Sequence, residues 1–226
     1  MVFVFDDAST DRSLEIIKRI QSANRDQVFY AQPKLNTYAA DENRLAGKFP
    51  GVTVAARLRE TSKYSHLLHE ADLVINFAAE THNDNSLSNP RVFIETNIVE
   101  TTYLLEQCVS TNTPLIQIST DEVFGDFTLE SEELADESYS YRPSSPYSAS
   151  KASADLLVKA WARSFGLRAI VTHCTNNYGP GQNPEKLIPN VISRIRKKLP
   201  IELYGEGKNI RNWIHVDDHS EALSLI

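Results

Sequence analysis

Two short segments of this chain carry side chains suited to moving protons. Tyr147 and Lys151 are four residues apart in a helical pattern, which places them on one helix face, one turn from each other. A nearby ammonium favours the phenolate, so Tyr147 is a candidate base near neutral pH, and Lys151 is also suited to hold a ribose hydroxyl. The alternative interpretation is a tyrosine in the core and a lysine in water.

The second segment, Ser119-Thr120-Asp121-Glu122, directly follows the apolar run PLIQI. If that run is a strand, these side chains lie at its carboxyl end, where open parallel sheets bind ligands. Two carboxyls and a hydroxyl can serve as acid, base and orienting group, provided that their surroundings push the two pKa values apart. The alternative is that Thr120 and Asp121 only cap the next turn.

The elements that must position these side chains follow from the hydrophobic pattern. Short β-rich runs (VFVF, QVFYA, VTVAA, DLVINFAA, PLIQIST and RAIVTHC) alternate with helical patterns such as LEIIKRI and FIETNIVETTYLLEQC. This alternation predicts an α/β fold, a Rossmann-like doubly wound parallel sheet with helices on both faces. DLVINFAA and PLIQI are continuously apolar, as expected of strands buried on both sides.

The pattern changes after Cys174 to segments punctuated by Pro and Gly. We therefore predict a dinucleotide-binding domain over residues 1–174 and part of a small substrate-binding lobe over 175–226. A helix begins near Pro146, and its apolar residues 156, 157, 160 and 161 predict a stripe that needs a partner surface. The acidic stretch at 128–145 is typical of an exposed loop or flap.

Composition excludes several classes of function. The chain has 226 residues, 41% of them hydrophobic, and a net charge of −7, which argues against a nucleic-acid surface. Its two cysteines suit a reducing compartment, and no leader or membrane-spanning run is recognisable, so we expect a cytoplasmic protein without a membrane partner. Two histidine pairs (His66 with His69, His215 with His219) lack a converging third ligand, so we expect no metal.

Six segments in order carry a resemblance to a known family: NFAAETHNDNS, FIETNIVETTYLLEQC, ISTDEVFGD, PSSPYSASKASADLLVKAW, NNYGPGQNPEKLIP and YGEGKNIRNWIHVDDH. Together they resemble the dTDP-glucose 4,6-dehydratases, which are extended short-chain dehydrogenase/reductases that use NAD. The match is strong from about Asp72 onward and poor before it. Six concordant blocks are far more specific than any one of them.

The resemblance implies elimination of water from a nucleotide-linked glucose, with transient hydride transfer to NAD. Tyr147 would take the proton of the sugar 4-hydroxyl, and Thr120 would hydrogen-bond the 4-oxygen. Glu122 would remove the carbon-5 proton, and Asp121 would protonate the departing 6-hydroxyl. Related sugar epimerases lack the Asp-Glu pair.

The resemblance also implies binding residues and a partner. Those expected to hold NAD are Ala78, Ala79, Thr96, Tyr147, Lys151 and Asn177. Those expected to hold the nucleotide sugar are Thr81, Asn176, Lys186, Leu187, Tyr204 and Arg211, the last being a natural diphosphate clamp. A homodimer is expected through helices near 91–109 and 146–165.

The sequence departs from the family at the first loop. The three glycines of G-x-x-G-x-x-G, which let the backbone approach the NAD diphosphate, align with Asp7, Thr10 and Ser13. The sequence also ends at EALSLI, inside what looks like a helix of the substrate lobe. Two alternatives to an enzyme therefore stay open: a pseudoenzyme or partner subunit that binds a nucleotide sugar without NAD, and a structural dimerisation module.

Overall fold

The computed structural model describes residues 68–69, 71–128, 133–180, 182–201, 203 and 206–226, and before them only the backbone of three strands. The predicted helix at 14–20 lies outside the described residues. So do His66, the loop positions Asp7, Thr10 and Ser13, and the predicted substrate residue Tyr204.

Six strands form one parallel sheet in the order β3-β2-β1-β4-β5-β6. They are β1 (Val2–Phe5), β2 (Val28–Ala31), β3 (Val54–Ala55), β4 (Leu73–Asn76), β5 (Leu115–Thr120) and β6 (Ala169–Cys174). All five neighbouring pairs run parallel, and the order reverses between β1 and β4. This is the Rossmann-like topology that the alternating pattern predicts, and every residue of β5 is buried as expected of an inner strand.

Six α-helices lie in the described part of the chain. They are α1 (Asn83–Ser88), α2 (Pro90–Ile94), α3 (Thr101–Thr111), α4 (Pro146–Phe165), α5 (Leu187–Arg196) and α6 (Val216–Ser224). A π-helical segment, Glu95–Glu100, joins α2 to α3 without a break, because the residues that flank it also have helical backbone angles. A short 3₁₀ turn, Asp121–Phe124, follows β5 directly.

The ends of α4 are fixed by local chemistry. The Ser145 hydroxyl accepts a hydrogen bond from the Ser148 amide at 3.1 Å, and the Ser148 hydroxyl accepts one from the Ser145 amide at 3.0 Å. This capping box, with Pro146 in the first turn, starts the helix, and Gly166 at φ 71° ends it. The sequence therefore holds Tyr147 at a defined place in the first turn.

Helices α3 and α4 pack on the same side of β4 and β5. Their shared core contains Val74, Leu104, Leu105, Cys108, Leu115 and Val158. The predicted apolar stripe of α4 is correct for Leu157 and Trp161, which pack against this core, but Leu156 is 57% exposed and Ala160 is exposed. The buried face of α4 instead contains Tyr147, Lys151, Asp155 and Val158, spaced by three or four residues.

A smaller parallel sheet follows the main one. It pairs β7 (Asn176–Tyr178) with β8 (Trp213–His215), and α6 follows β8 directly. Gly179 lies close to α6, where a Cβ would come within 2.7 Å of the Val216 side chain. The division into domains 1–174 and 175–226 stays a prediction, although the second sheet begins close to the proposed boundary.

The acidic loop matches its prediction in the part that is described. Residues 133–145 form no helix or strand and are mostly exposed, while Tyr139 and Tyr141 pack against Phe124 and Val123. Within the described residues, none of the helices is long and apolar enough to cross a bilayer.

Candidate active site

A cavity of about 250 Å³ opens at the carboxyl ends of the central strands. Ten of the predicted site residues line it: Ala79, Thr81, Thr120, Glu122, Tyr147, Lys151, Asn176, Asn177, Lys186 and Leu187. The first two follow β4, the next two lie at the end of β5 and just after it, two come from α4, and the remaining four belong to the second sheet and to the start of α5. The structure thus brings together side chains that are more than 100 residues apart in the sequence.

The 3₁₀ turn after β5, which we call the reaction turn (Asp121–Phe124), is capped by Thr120. The Thr120 hydroxyl oxygen accepts a hydrogen bond from the Glu122 amide at 3.3 Å and donates to Asp121 Oδ1 at 3.2 Å. The capping interpretation from the sequence is therefore correct for Thr120, whereas Asp121 is the first residue of the turn itself. It does not compete with the chemical one, because Thr120 and Glu122 also line the cavity.

Glu122 is held by a neighbour from α1. The Asn83 side-chain amide donates a hydrogen bond to Glu122 Oε2 at 2.7 Å. Burial raises the pKa of the Glu122 carboxyl, and the negative charge of Asp121 raises it further. The Asn83 hydrogen bond and the charges of Arg211 and Lys186 lower this pKa without cancelling the rise.

Asp121 lies beside the cavity rather than among its lining residues. Burial raises the pKa of its carboxyl, while the Thr120 hydrogen bond and the charge of Arg211 lower it. Both carboxyls therefore keep their protons to higher pH than free ones, which suits groups that exchange protons with a substrate.

Tyr147 differs from the expectation that its lysine would favour the phenolate. Burial, followed by the charge of Glu122, raises the pKa of the Tyr147 phenol well above its usual range, whereas a hydrogen bond with Thr120 lowers it. Lys151 is 4% exposed, and its ammonium donates to the Ile118 carbonyl at 2.6 Å. The alternative of a lysine in water is therefore wrong, but desolvation outweighs any effect of its charge on Tyr147.

Asn97, in the π-helical segment, connects three parts of the site. Its side chain accepts a hydrogen bond from the Glu80 amide at 2.8 Å and donates to the Glu80 carbonyl at 3.1 Å. It also donates to the Ser150 hydroxyl at 2.8 Å. One buried amide thus ties the segment after β4 to the first turns of α4, and π-helical turns are frequent at functional sites.

The far side of the cavity contains cations and amides. The Lys186 ammonium donates to the Thr81 carbonyl at 3.2 Å and to its hydroxyl at 3.3 Å. The side-chain oxygen of Asn177 lies 2.8 Å from His219 Nδ1. Arg211 is exposed and donates to the Ile210 carbonyl at 2.8 Å, yet its charge acts on both carboxyls of the reaction turn.

Several lining residues were missed in the sequence. They are Phe77, Ile118, Cys174, Thr175, Gln182, Asn183, Trp213 and His219, and Ser119, from the segment that the sequence singled out, also lines the cavity. Gln182, Asn183, Trp213 and His219 belong to quoted family segments, so their position beside matched residues was an available signal. Both cysteines fall inside apolar segments of the sequence, which predicts that they are inert core thiols. Cys174 lines the cavity, and burial raises its pKa to about 11, whereas Cys108 fits the expectation, because it is fully buried with a pKa of about 12.

The residues predicted to hold NAD differ in their position relative to the cavity. Ala79, which is small and 2% exposed, lines the cavity where the chain leaves β4, whereas Ala78 packs in the core beneath α3 and α4 and is not among the lining residues. Thr96, also predicted to hold NAD, is half-buried in the π-helical segment and is not among the lining residues. Within the described part of the chain, no group of three or more His, Cys, Asp or Glu could hold a metal ion.

Comparison with known proteins identifies relatives of this arrangement. The profile of the NAD dependent epimerase/dehydratase family matches residues 16–226. A dTDP-glucose 4,6-dehydratase from Mycobacterium tuberculosis is 46% identical over 191 residues, which cover 84% of this chain and 58% of that protein. One from Xanthomonas campestris is 40% identical, with 94% and 62% covered. The chain thus spans less than two thirds of the length of these curated relatives.

Solved structures with a similar fold include enzymes of the same kind as these curated relatives. A dTDP-glucose 4,6-dehydratase from Streptomyces venezuelae, solved with NAD bound, has a TM-score of 0.89 and 31% identity, and the match covers all of this chain and 71% of that one. A UDP-glucuronic acid 4-epimerase from Bacillus cereus has a TM-score of 0.87 at 20% identity, which shows a shared fold alone. These matches confirm the resemblance that the six sequence segments indicate.

Proposed function

This chain belongs to the NAD dependent epimerase/dehydratase family, and we propose that it is a nucleotide-sugar 4,6-dehydratase that converts dTDP-glucose to dTDP-4-keto-6-deoxyglucose with loss of water. The observation that carries the proposal is the placement of Glu122 and Tyr147 on one cavity, with Asp121 beside Thr120 at its edge. Elimination of water needs a proton acceptor and a proton donor on different carbons, and the reaction turn offers both.

Each residue has a separate role in this proposal. Tyr147 takes the proton of the sugar 4-hydroxyl, and the Thr120 hydroxyl hydrogen-bonds the same oxygen. Because burial keeps Tyr147 protonated, the Thr120 hydrogen bond is the contact that favours its base form. Glu122 then removes the carbon-5 proton, and Asp121, whose raised pKa favours the acid form, protonates the departing 6-oxygen.

We infer that NAD is the cofactor. When bound, NAD supplies the transient oxidation of carbon 4 that makes the neighbouring carbon-5 proton acidic. Ala78, Ala79, Lys151 and Asn177 would hold its nicotinamide end, with Thr96 nearby. Side chains at Asp7, Thr10 and Ser13 would crowd its diphosphate, and Asp7 would add like charge. We therefore expect weaker binding than a glycine loop gives.

The nucleotide sugar would occupy the side of the cavity formed by the second sheet. Thr81, Asn176, Lys186 and Leu187 are the proposed contacts, together with Arg211 and the undescribed Tyr204. The ammonium of Lys186 lines the cavity, and the planar guanidinium of Arg211 suits phosphate oxygens.

The function is tested by incubating the purified protein with dTDP-glucose and added NAD. Mass spectrometry of the nucleotide sugar should show loss of one water. A separate measurement, the mass of any dinucleotide released when the protein is denatured, tells whether NAD is held through purification. An unchanged substrate at saturating NAD would contradict the proposal.

Asn83 should control the acid side of the pH dependence. Glu122 acts as a base and must be deprotonated, so activity falls as the pH drops through its pKa, which burial raises. Asn83→Ala removes the hydrogen bond that lowers this pKa. We expect the acid limb of kcat/KM to move to higher pH, as measured in rate profiles from pH 5 upward. Asn85→Ala, two residues along the same exposed helix, is the control and should keep the wild-type profile.

We also propose a homodimer through the helices at 91–109 and 146–165. The support is apolar exposure on these helices, since Val92, Ile94, Leu156 and Phe165 are between 37% and 60% exposed. A second copy of the same surface would cover them with two-fold symmetry.

Leu156→Glu should break this dimer, because it places a charge on the apolar face of α4. We expect the dissociation constant to rise by about 30-fold or more, as for the removal of an interface hot spot. Analytical ultracentrifugation over a concentration series measures it. Leu134→Glu is the matched control, since Leu134 is 88% exposed in the acidic loop. A wild-type monomer at all concentrations would contradict the proposed dimer.

A further inference from the structure

A polar cluster, whose buried members are Ser119 and Asp155, lies between α4 and the carboxyl ends of β5 and β6. It contains Ser119, Tyr141, Asp155, Lys159 and His173, and we call it the rear cluster. Of these residues, Ser119 alone lines the cavity. The predicted roles make no use of Asp155 or His173.

Asp155 is the centre of the rear cluster. Its side chain is fully buried, and its Oδ2 accepts a hydrogen bond from the Ser119 hydroxyl at 2.7 Å and lies 3.2 Å from His173 Nε2. Its other oxygen, Oδ1, is buried and has no hydrogen-bond partner among the residues that the structure describes. Burying a carboxyl costs free energy. We therefore expect the contacts of Asp155 to fix the position of the residues that it contacts.

The spacing of the buried side chains along α4 shows which part of β5 they hold. Tyr147, Lys151 and Asp155 follow one another at intervals of four residues, and all three are buried on the same face. Lys151 donates to the Ile118 carbonyl at 2.6 Å, and Asp155 accepts from Ser119. Two successive turns of α4 therefore hold two successive residues of β5, immediately before Thr120.

The rear cluster also supports the reaction turn from its other end. Phe124 is the last residue of that turn. The centre of its ring lies 4.9 Å from the centre of the His173 ring and 5.7 Å from the centre of the Tyr141 ring. The Tyr141 hydroxyl is 3.1 Å from His173 Nε2. Beyond the turn, Gly125 at φ 84° passes so close to the Arg142 carbonyl that a Cβ would overlap it.

We propose that Asp155 is a positioning residue which, through Ser119 and His173, fixes the reaction turn relative to Tyr147. The proposal rests on the proposed dehydratase function for its catalytic consequence, but not for its structural one. Asp155 does not line the cavity, so any effect of its substitution on turnover must act through its neighbours.

The first measurement is turnover of dTDP-glucose by Asp155→Asn, Ser119→Ala and the double variant. A displaced reaction turn should lower kcat by about 10- to 100-fold, the loss expected from misplacing a catalytic group by about 1 Å, with KM within about twofold. The double variant should be no worse than the worse single one, because Asp155→Asn weakens, and Ser119→Ala removes, the same hydrogen bond. Ser153→Ala is the matched control, since that hydroxyl donates to the Ala149 carbonyl at 2.8 Å, a hydrogen bond within α4.

The second measurement does not need activity. Hydrogen exchange of the peptide 119–125 should be about fivefold faster or more in Ser119→Ala, as expected when one buried hydrogen bond is lost, and also faster in Asp155→Asn, where the neutral amide oxygen is a weaker acceptor. Ser153→Ala should exchange like wild type. If Asp155→Asn does not fold, Ser119→Ala alone decides.

The outcomes separate the two proposals. Wild-type exchange at 119–125 in the variants, or additive losses of kcat, would overturn the positioning role. An inactive wild-type protein whose variants still exchange faster at 119–125 would contradict the dehydratase function and leave the positioning role standing.

Discussion

Tyr147→Phe is expected to lower kcat by about 1000-fold, within the range that general acid-base catalysis contributes. The substitution removes a hydroxyl that is buried in the cavity and hydrogen-bonded to Thr120, and it leaves the ring packed at 6.3 Å from Phe93. The fold should therefore survive, with KM little changed. Initial rates of water loss from dTDP-glucose, followed by mass spectrometry, measure the effect.

Tyr103→Phe is the control for this experiment. Tyr103 is 43% exposed on α3, and loss of its hydroxyl should leave kcat unchanged. A Tyr147→Phe variant with at least half of the wild-type rate would remove Tyr147 from the mechanism. The cavity would then need another base for the 4-hydroxyl.

Glu122→Gln is expected to lower the dehydration rate by about 100-fold or more, because it removes the base for carbon 5 but keeps the size of the side chain. The elimination removes a proton at carbon 5, and a solvent proton later replaces it. In D₂O, the wild-type product should therefore carry deuterium at carbon 5. Proton magnetic resonance of the sugar should show neither product nor deuterium incorporation with Glu122→Gln over the same period.

Glu221→Gln, an exposed position on α6, is the matched control and should behave as wild type. If Glu122→Gln still incorporates deuterium at carbon 5 at the wild-type rate, another group is the base. In that case Asp121, the neighbouring carboxyl, would be the first residue to test.

The fold and the place of the site could be predicted from the sequence for a simple reason. Strands buried on both faces read as continuous apolar runs, and their order in a parallel sheet leaves few topologies. The residues after PLIQI therefore had to lie at the carboxyl edge. The Tyr147 and Lys151 spacing and the helix start near Pro146 depend only on local geometry, and the structure contains both.

What could not be predicted depends on contacts between distant residues. Burial raises the pKa of Tyr147, so the phenolate is not favoured as the spacing to Lys151 alone indicated, and the ammonium of Lys151 donates to the Ile118 carbonyl. Leu156 is exposed because polar residues occupy the buried face of α4. The role of Asn97 required knowing that Glu80 and Ser150 lie beside it.

The π-helical segment has a consequence for insertions and deletions in this region. It holds Asn97 in contact with Glu80 and Ser150, while the helix that continues from it places Leu104 and Leu105 in the core. Removing one residue between them would rotate one of these faces by about 100° relative to the other. The length of the π-helical segment therefore determines how the face that carries Asn97 is rotated relative to the face that packs in the core. Insertion or deletion of one residue here should be far less tolerable than substitution of a side chain.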